Sequence, residues 1–180
     1  VDVTDLNAWT DRVRQRVDTL MSGFEDRFGY PPGDNRVVSA TRPGGVALRD
    51  ALGVRAPAAV VEFFDAIEEV SLPDVWNGYF LGPVDWVLAA YSGREPGLIE
   101  LDGVQHEVLV VGADGGGALY CVVLGEHPLV VRLDQVTIRD GIARTPPGFT
   151  QELAPDFAGF LEALAIAIEA SVEGAHAPAF

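Results

Sequence analysis

The stretch Glu107-Val108-Leu109-Val110-Val111-Gly112-Ala113-Asp114-Gly115-Gly116-Gly117-Ala118-Leu119-Tyr120-Cys121-Val122-Val123-Leu124 decides the fold. Glu107 to Val111 and Leu119 to Leu124 are valine-rich and apolar without a break. A strand with one wet face alternates; an unbroken apolar run suits a strand buried on both faces. Ala113 to Gly117 between them reads as a hairpin loop. Leu129 to Leu133 follows as a third strand. Val136-Thr137-Ile138-Arg139 alternates, and Asp140-Gly141 before Ile142 is a strong two-residue hairpin signal. Pro146-Pro147-Gly148 is expected to close the sheet.

Upstream, the pattern changes to helical spacing. Leu6, Trp9, Val13, Val17, Leu20, Met21, Phe24 and Phe28 predict one amphipathic helix, with Thr4 as its N-cap and Gly29-Tyr30-Pro31-Pro32-Gly33 as its stop. A polar connection from Pro31 to Gly45 follows, with a short strand at Arg36 to Ser39. Val46 to Leu52 predicts a short helix ended by Gly53. A second helix starts at Pro57 and runs through Val60, Val61, Phe63, Phe64 and Ile67, in a region closed by Leu72-Pro73. Val75 to Leu81 is aromatic-rich and expected to be extended. Gly82-Pro83 breaks it, Asp85 to Tyr91 predicts a short helix, and Leu98 to Leu101 a strand turning at Asp102-Gly103. The last helix opens near Pro155, with Phe157, Phe160, Leu161, Leu164, Ile168 and Val172 as its apolar stripe. The tail from Gly174 to Phe180 is expected to fray. Helices, then a mostly antiparallel sheet, then a helix make an α+β layout. Three segments are expected: an N-terminal helix and connection over 1–45, the main domain over 46–173, and a tail over 174–180.

With 180 residues, 48% of them hydrophobic, the chain has the size of one domain with a real core. Its 27 acidic residues face 12 basic ones, all of them Arg, for a net charge of -15. That balance argues against nucleic acid, whose phosphates require clustered cations, and against an anionic membrane. It favours a basic partner. The single cysteine permits no internal disulfide, which fits a reducing, cytoplasmic setting. No apolar run is long enough to span a membrane, and Val1-Asp2-Val3-Thr4 has neither the basic flank nor the apolar run of a signal peptide.

The residues that could carry chemistry do not assemble into a motif. Gly115-Gly116-Gly117 precedes a strand rather than a helix, and no Lys completes a phosphate loop. His106, His127 and His176 lack the tight spacing of a zinc site. Cys121 sits among Leu119, Tyr120, Val122 and Val123, where burial raises a thiol pKa and leaves it inert. Ser71 and Ser92 lie in no nucleophile elbow. The reading is therefore a protein that is not an enzyme, with no catalytic residue, cofactor or metal ligand set. A stretch mixing acids with large aromatics, Asp65, Glu68, Glu69, Asp74, Trp76, Tyr79, Asp85 and Trp86, is the expected partner-binding surface. Aromatics anchor interfaces and acids steer a basic partner. The competing reading places Trp76, Tyr79 and Trp86 in the core. Monomer and homodimer both remain compatible with the sequence.

Three segments, in this order, resemble a known family. They are Leu48-Arg49-Asp50-Ala51-Leu52-Gly53-Val54-Arg55-Ala56-Pro57, leading through Phe63-Phe64 to Asn77-Gly78-Tyr79-Phe80; Val110 to Tyr120, continuing through Gly125-Glu126-His127-Pro128-Leu129-Val130-Val131-Arg132-Leu133; and Phe157-Ala158-Gly159-Phe160-Leu161-Glu162. Together, over roughly Val46 to Val172, they resemble the SUKH superfamily, which includes the yeast Smi/Knr cell-wall regulators and many bacterial immunity proteins. The resemblance implies a sheet of about six strands packed by helices, with the N-terminal helix and the Asp140-Gly141 hairpin as additions. It implies no catalytic residues, and binding to a cognate protein toxin, often basic, encoded by a neighbouring gene. A cytosolic interaction module unlinked to a toxin is the alternative, and a hydrolase using His106 or His127 stands third.

Overall fold

The computed structural model describes residues 6–101 and 103–174. Thr4, Asp102, His176 and the tail beyond Gly174 lie outside the described residues.

Helix α1 (Leu6–Ser22) buries Trp9, Val13, Val17 and Leu20 along one stripe. The expected single helix is two: Gly23 separates α1 from the short α2 (Phe24–Phe28), which stops at Gly29. Strand β1 (Arg36–Ser39) and helix α3 (Gly45–Leu52) match the sequence reading, and a 3-10 turn over Gly53–Arg55 leads to α4 (Ala58–Ala66). Pro57 is the N-cap of α4, one residue before its first turn.

The region up to Leu72-Pro73 is corrected next. Past Ala66 the chain extends as strand β2 (Ile67–Leu72). Its glutamates favour helix locally, but Val70 and Leu72 alternate inward and both flanks find strand partners, so tertiary pairing overrides propensity. Val75 to Gly78 is a turn, not an extended run, and only β3 (Tyr79–Leu81) pairs with the sheet. There follow α5 (Val84–Gly93), β4 (Leu98–Leu101), β5 (Val104–Asp114), β6 (Leu119–Val123), β7 (Val130–Leu133), β8 (Thr137–Arg139) and β9 (Ile142–Arg144). Asp140 and Gly141 both have positive φ, 54° and 75°, as a type I′ hairpin turn requires. The prolines at 146 and 147 do not close the sheet: β10 (Thr150–Ala154) returns and pairs with β7 before α6 (Phe157–Glu173). Asp156 caps α6, accepting the Gly159 amide at 2.7 Å.

The strands form one mixed sheet of ten, against the six or so expected. Of these, β2 and β10 are the two that the sequence patterns leave out, because β2 continues the composition of α4 and β10 follows a proline-rich turn. Its pairs are antiparallel except β4 with β9. The long β5 is the hub, paired with β4 along Val104–Glu107, with β6 along Val108–Ala113 and with β3 along Gly112–Asp114. Helices cover one face over Leu109, Val111, Tyr120, Val122 and Val130. The opposite face, Val108, Val110, Cys121, Val123, Val131 and Leu133, is closed by Ile99 of β4 and Ala143 of β9. This two-sided burial is what the unbroken apolar runs predicted.

The first and last described helices meet. Helix α1 lies on α6, and the Trp9 indole N–H donates to Leu161 O at 2.8 Å. Beside it Arg12 donates to Glu162 and to Glu169 at 2.8–2.9 Å.

Candidate functional site

The eight residues expected to bind a partner do not share one surface. Tyr79 is 1% exposed, in the core on β3; as a strand residue facing the helices it serves packing, so its place at an interface is corrected. Asp65 accepts the Gly45 amide at 2.8 Å and an Arg49 N–H at 3.3 Å, which ties α3 to α4. Glu69 pairs with Arg36 across β1 and β2 at 3.0 Å. Glu68 and Asp85 line one shallow groove of about 400 Å³ with Arg42, Pro43 and Pro83. Trp86, 42% exposed, follows Asp85 on α5. Asp74 and Trp76 belong to a different groove.

That second groove, about 390 Å³, runs between α2, the turn before β3 and the C-terminal end of α6. Three large aromatics open onto it: Phe28, Tyr30 and Trp76, 43%, 54% and 58% exposed. Phe24 forms its floor, 4.5 Å from the Phe28 ring centroid and 5.4 Å from that of Tyr30. The Arg27 guanidinium lies 5.0 Å above Phe28. Asp74 stands on the far wall, its Oδ2 accepting from the Gly33 amide at 2.7 Å and from the Asn35 side chain. Sequence reading missed Phe28 and Tyr30, because Phe28 continues the apolar stripe of α1 and Tyr30 sits in the stop signal. The glycine at 23, which turns α2 away from that stripe, was the available clue.

The backbone presents Trp76 in an unusual way. The Val75–Gly78 turn is closed by the Gly78 amide on Val75 O at 2.9 Å, and Trp76 occupies its second position with φ 55°. A bulky side chain rarely adopts this left-handed region, where glycine is favoured. The turn is held by the glycine hairpin: a Cβ on Gly115 would lie 2.0 Å from Asn77 O, and one on Gly116 would lie 2.7 Å from Asn77 Nδ2. Asp114 fixes that hairpin, its Oδ1 accepting the Gly116 and Ala118 amides at 2.9 Å and its Oδ2 accepting from Arg132 at 2.7 Å. Burial, with the nearby Asp114 charge, pushes the Tyr79 phenol up to about 12 and raises that of Tyr120 as well.

Cys121 is fully buried, and that burial pushes its thiol up to about 12. His106 is half-buried on β5 and His127 is exposed in the turn before β7. Glu107 makes a polar cluster on the sheet rim, accepting from Tyr91 at 2.9 Å and from Arg55. Burial pushes its pKa up, yet the Tyr91 and Arg55 hydrogen bonds outweigh burial and the net shift is downward. No helix among the described residues is long and apolar enough to cross a membrane.

No protein-family model matches this chain, and no curated protein matches it either.

Proposed function

We propose that this chain is a non-catalytic protein-binding domain of SUKH-like type, an immunity protein that neutralises a cognate bacterial toxin in the cytoplasm. The observation that carries the reading is the groove lined by Phe28, Tyr30 and Trp76 on a protein of net charge -15. Partly exposed aromatics gathered at one place are the anchors of protein interfaces, and a large negative charge accelerates encounter with a basic partner. The motif order from Leu48 to Glu162, and an α+β layout with helices on one sheet face, support the family likeness.

Co-expression with the toxin-like protein encoded beside its gene tests the proposal. Restored growth and a stable complex are expected. A neighbouring product that stays toxic and forms no complex refutes it, and recovery of wall or signalling proteins from the native lysate moves the reading to a general interaction module.

A further inference from the structure

We propose that Asn77-Gly78 is a site of spontaneous chemical modification, where the side-chain amide is lost through a cyclic imide at a rate set by the contact of the Val75–Gly78 turn with the glycine hairpin. The modification is independent of what the aromatic groove binds. It needs only water and hydroxide. The Gly78 nitrogen, once hydroxide has taken its proton, attacks Asn77 Cγ. The new N–C bond closes a five-membered imide. The Cγ–Nδ2 bond breaks, and the leaving nitrogen takes a proton from water to depart as ammonia. Water then opens the imide at either carbonyl. One opening gives aspartate; the other gives isoaspartate, with the main chain rerouted through the former side chain.

The sequence and the structure select this pair. Of the three asparagines, only Asn77 precedes a glycine; Asn7 precedes Ala8 and Asn35 precedes Arg36. A side chain on the following residue screens the attacking nitrogen, and glycine leaves it open. The turn also demands that glycine: Gly78 has φ 83°, and a Cβ there would lie 2.9 Å from a Phe80 ring carbon. Asn77 is exposed, so hydroxide reaches it. The side chain of Asn35, by contrast, is bonded to Asp74 and to Gly33 O. The Asp-Gly pairs are poorer sites, because an ionised carboxylate repels an anionic nitrogen, and both oxygens of Asp114 are engaged.

The fold supplies a brake. The Gly78 N–H donates to Val75 O at 2.9 Å, and Gly78 O accepts from the Gly115 amide at 3.3 Å. Asn77 O fills the space where a Cβ on Gly115 would lie 2.0 Å away, and Asn77 Nδ2 comes within 2.7 Å of one on Gly116. The imide cannot close until this turn opens, so its rate measures local opening. The product does not reclose as before. A carboxylate at position 77 stands across Gly116 from Asp114 Oδ1, itself 3.2 Å from the same Cβ position. Like charges then face each other over the hairpin, and isoaspartate adds a backbone atom to a turn with no slack.

The test incubates the full chain beside a blocked peptide spanning Val75 to Tyr79, at neutral and at mildly alkaline pH. Peptide mapping by mass spectrometry follows the exchange of amide for acid, and hydrogen exchange reads the Gly78 amide in the same protein. Conversion is expected at Asn77 ahead of Asn7 and Asn35, and faster at the higher pH. It should be slower than in the peptide by roughly tenfold or more, and by the same factor that slows Gly78 exchange. Asn77→Gln, which would need a six-membered ring, should keep its amide. Gly115→Ala should speed conversion severalfold; if that variant does not fold, the match of the two factors in the wild type decides alone. Conversion first at Asn7 or Asn35 overturns the proposal. So does an Asn77 that keeps its amide while Gly78 exchanges freely, or one that converts at the peptide's rate while Gly78 stays protected.

Discussion

Asp114 joins two tasks in one carboxylate: it arranges the amides of the glycine hairpin and balances the buried charge of Arg132. Its side chain is nearly sealed from water, and that of Arg132 mostly so. Asp114→Asn keeps an oxygen for the amides but removes the closer of the guanidinium's two carboxylates, leaving it Asp134 at 3.3 Å, so it should cost about 1.5–3 kcal/mol, read by denaturant melts. A loss below about 1 kcal/mol would show that water reaches the pair. Glu169 gives a pH prediction. The Arg12 hydrogen bonds lower its pKa below the ordinary 4.5, outweighing burial. Its folded pKa is therefore below its unfolded one, so the stability it contributes is present above the unfolded value and lost as pH falls through the folded one. Glu169→Gln should destabilise at pH 7 and converge with the wild type as the medium is acidified below that range. Parallel stability curves at every pH would contradict this.

Among elements, legibility followed length and period. The pair β5 and β6, helix α6 and the Asp140-Gly141 hairpin were plain in the sequence because each carries a sustained apolar pattern or an obligatory turn dipeptide. Strand β2 was hidden because Glu68-Glu69 continues the helical composition of α4, and only pairing with β1 and β3 makes it a strand. The return of β10 was hidden behind two prolines. Tyr79, three residues from Trp76 and six from Asp85 in an acidic and aromatic stretch, was not separable from its exposed neighbours. Side-chain direction on a three-residue strand is set by partners far along the chain. The interlock of two loops also yields a prediction. Gly115→Ala would force a Cβ to 2.0 Å from Asn77 O, so the Val75–Gly78 turn must move. Lower thermal stability and a displaced Trp76 indole resonance are expected together; an unaltered Trp76 resonance would disconnect the loops. The outer edge of β1 is closed differently, by Arg14 donating to Val37 O at 2.7 Å. That occupies an acceptor which another chain's strand would otherwise use.

For the whole molecule, the charge of -15 governs encounter more than fold. Association with a basic partner should slow severalfold or more between low salt and physiological salt, where the Debye length falls to about 8 Å, while dissociation changes little. Stopped-flow association that ignores ionic strength would remove charge steering from the account. The acids expected to steer as a group are dispersed. Glu69 is committed to Arg36 and Asp74 to the Gly33–Asn35 loop, so reversing them together with Glu68 would unsettle the fold as well as the field.

The meeting of α1 with α6 has a consequence for how the molecule is made. Trp9 waits for Leu161, 152 residues later. At translation rates of about 5–20 residues per second, the first helix leaves the ribosome roughly 8–30 s before its cover is synthesised. The part of its apolar stripe that packs on α6 stays open to chaperones throughout that interval. The aromatic groove is unfinished for as long, since Ser171 and Gly174 supply its last wall. The wall that closes the groove therefore exists only after α6 has been synthesised.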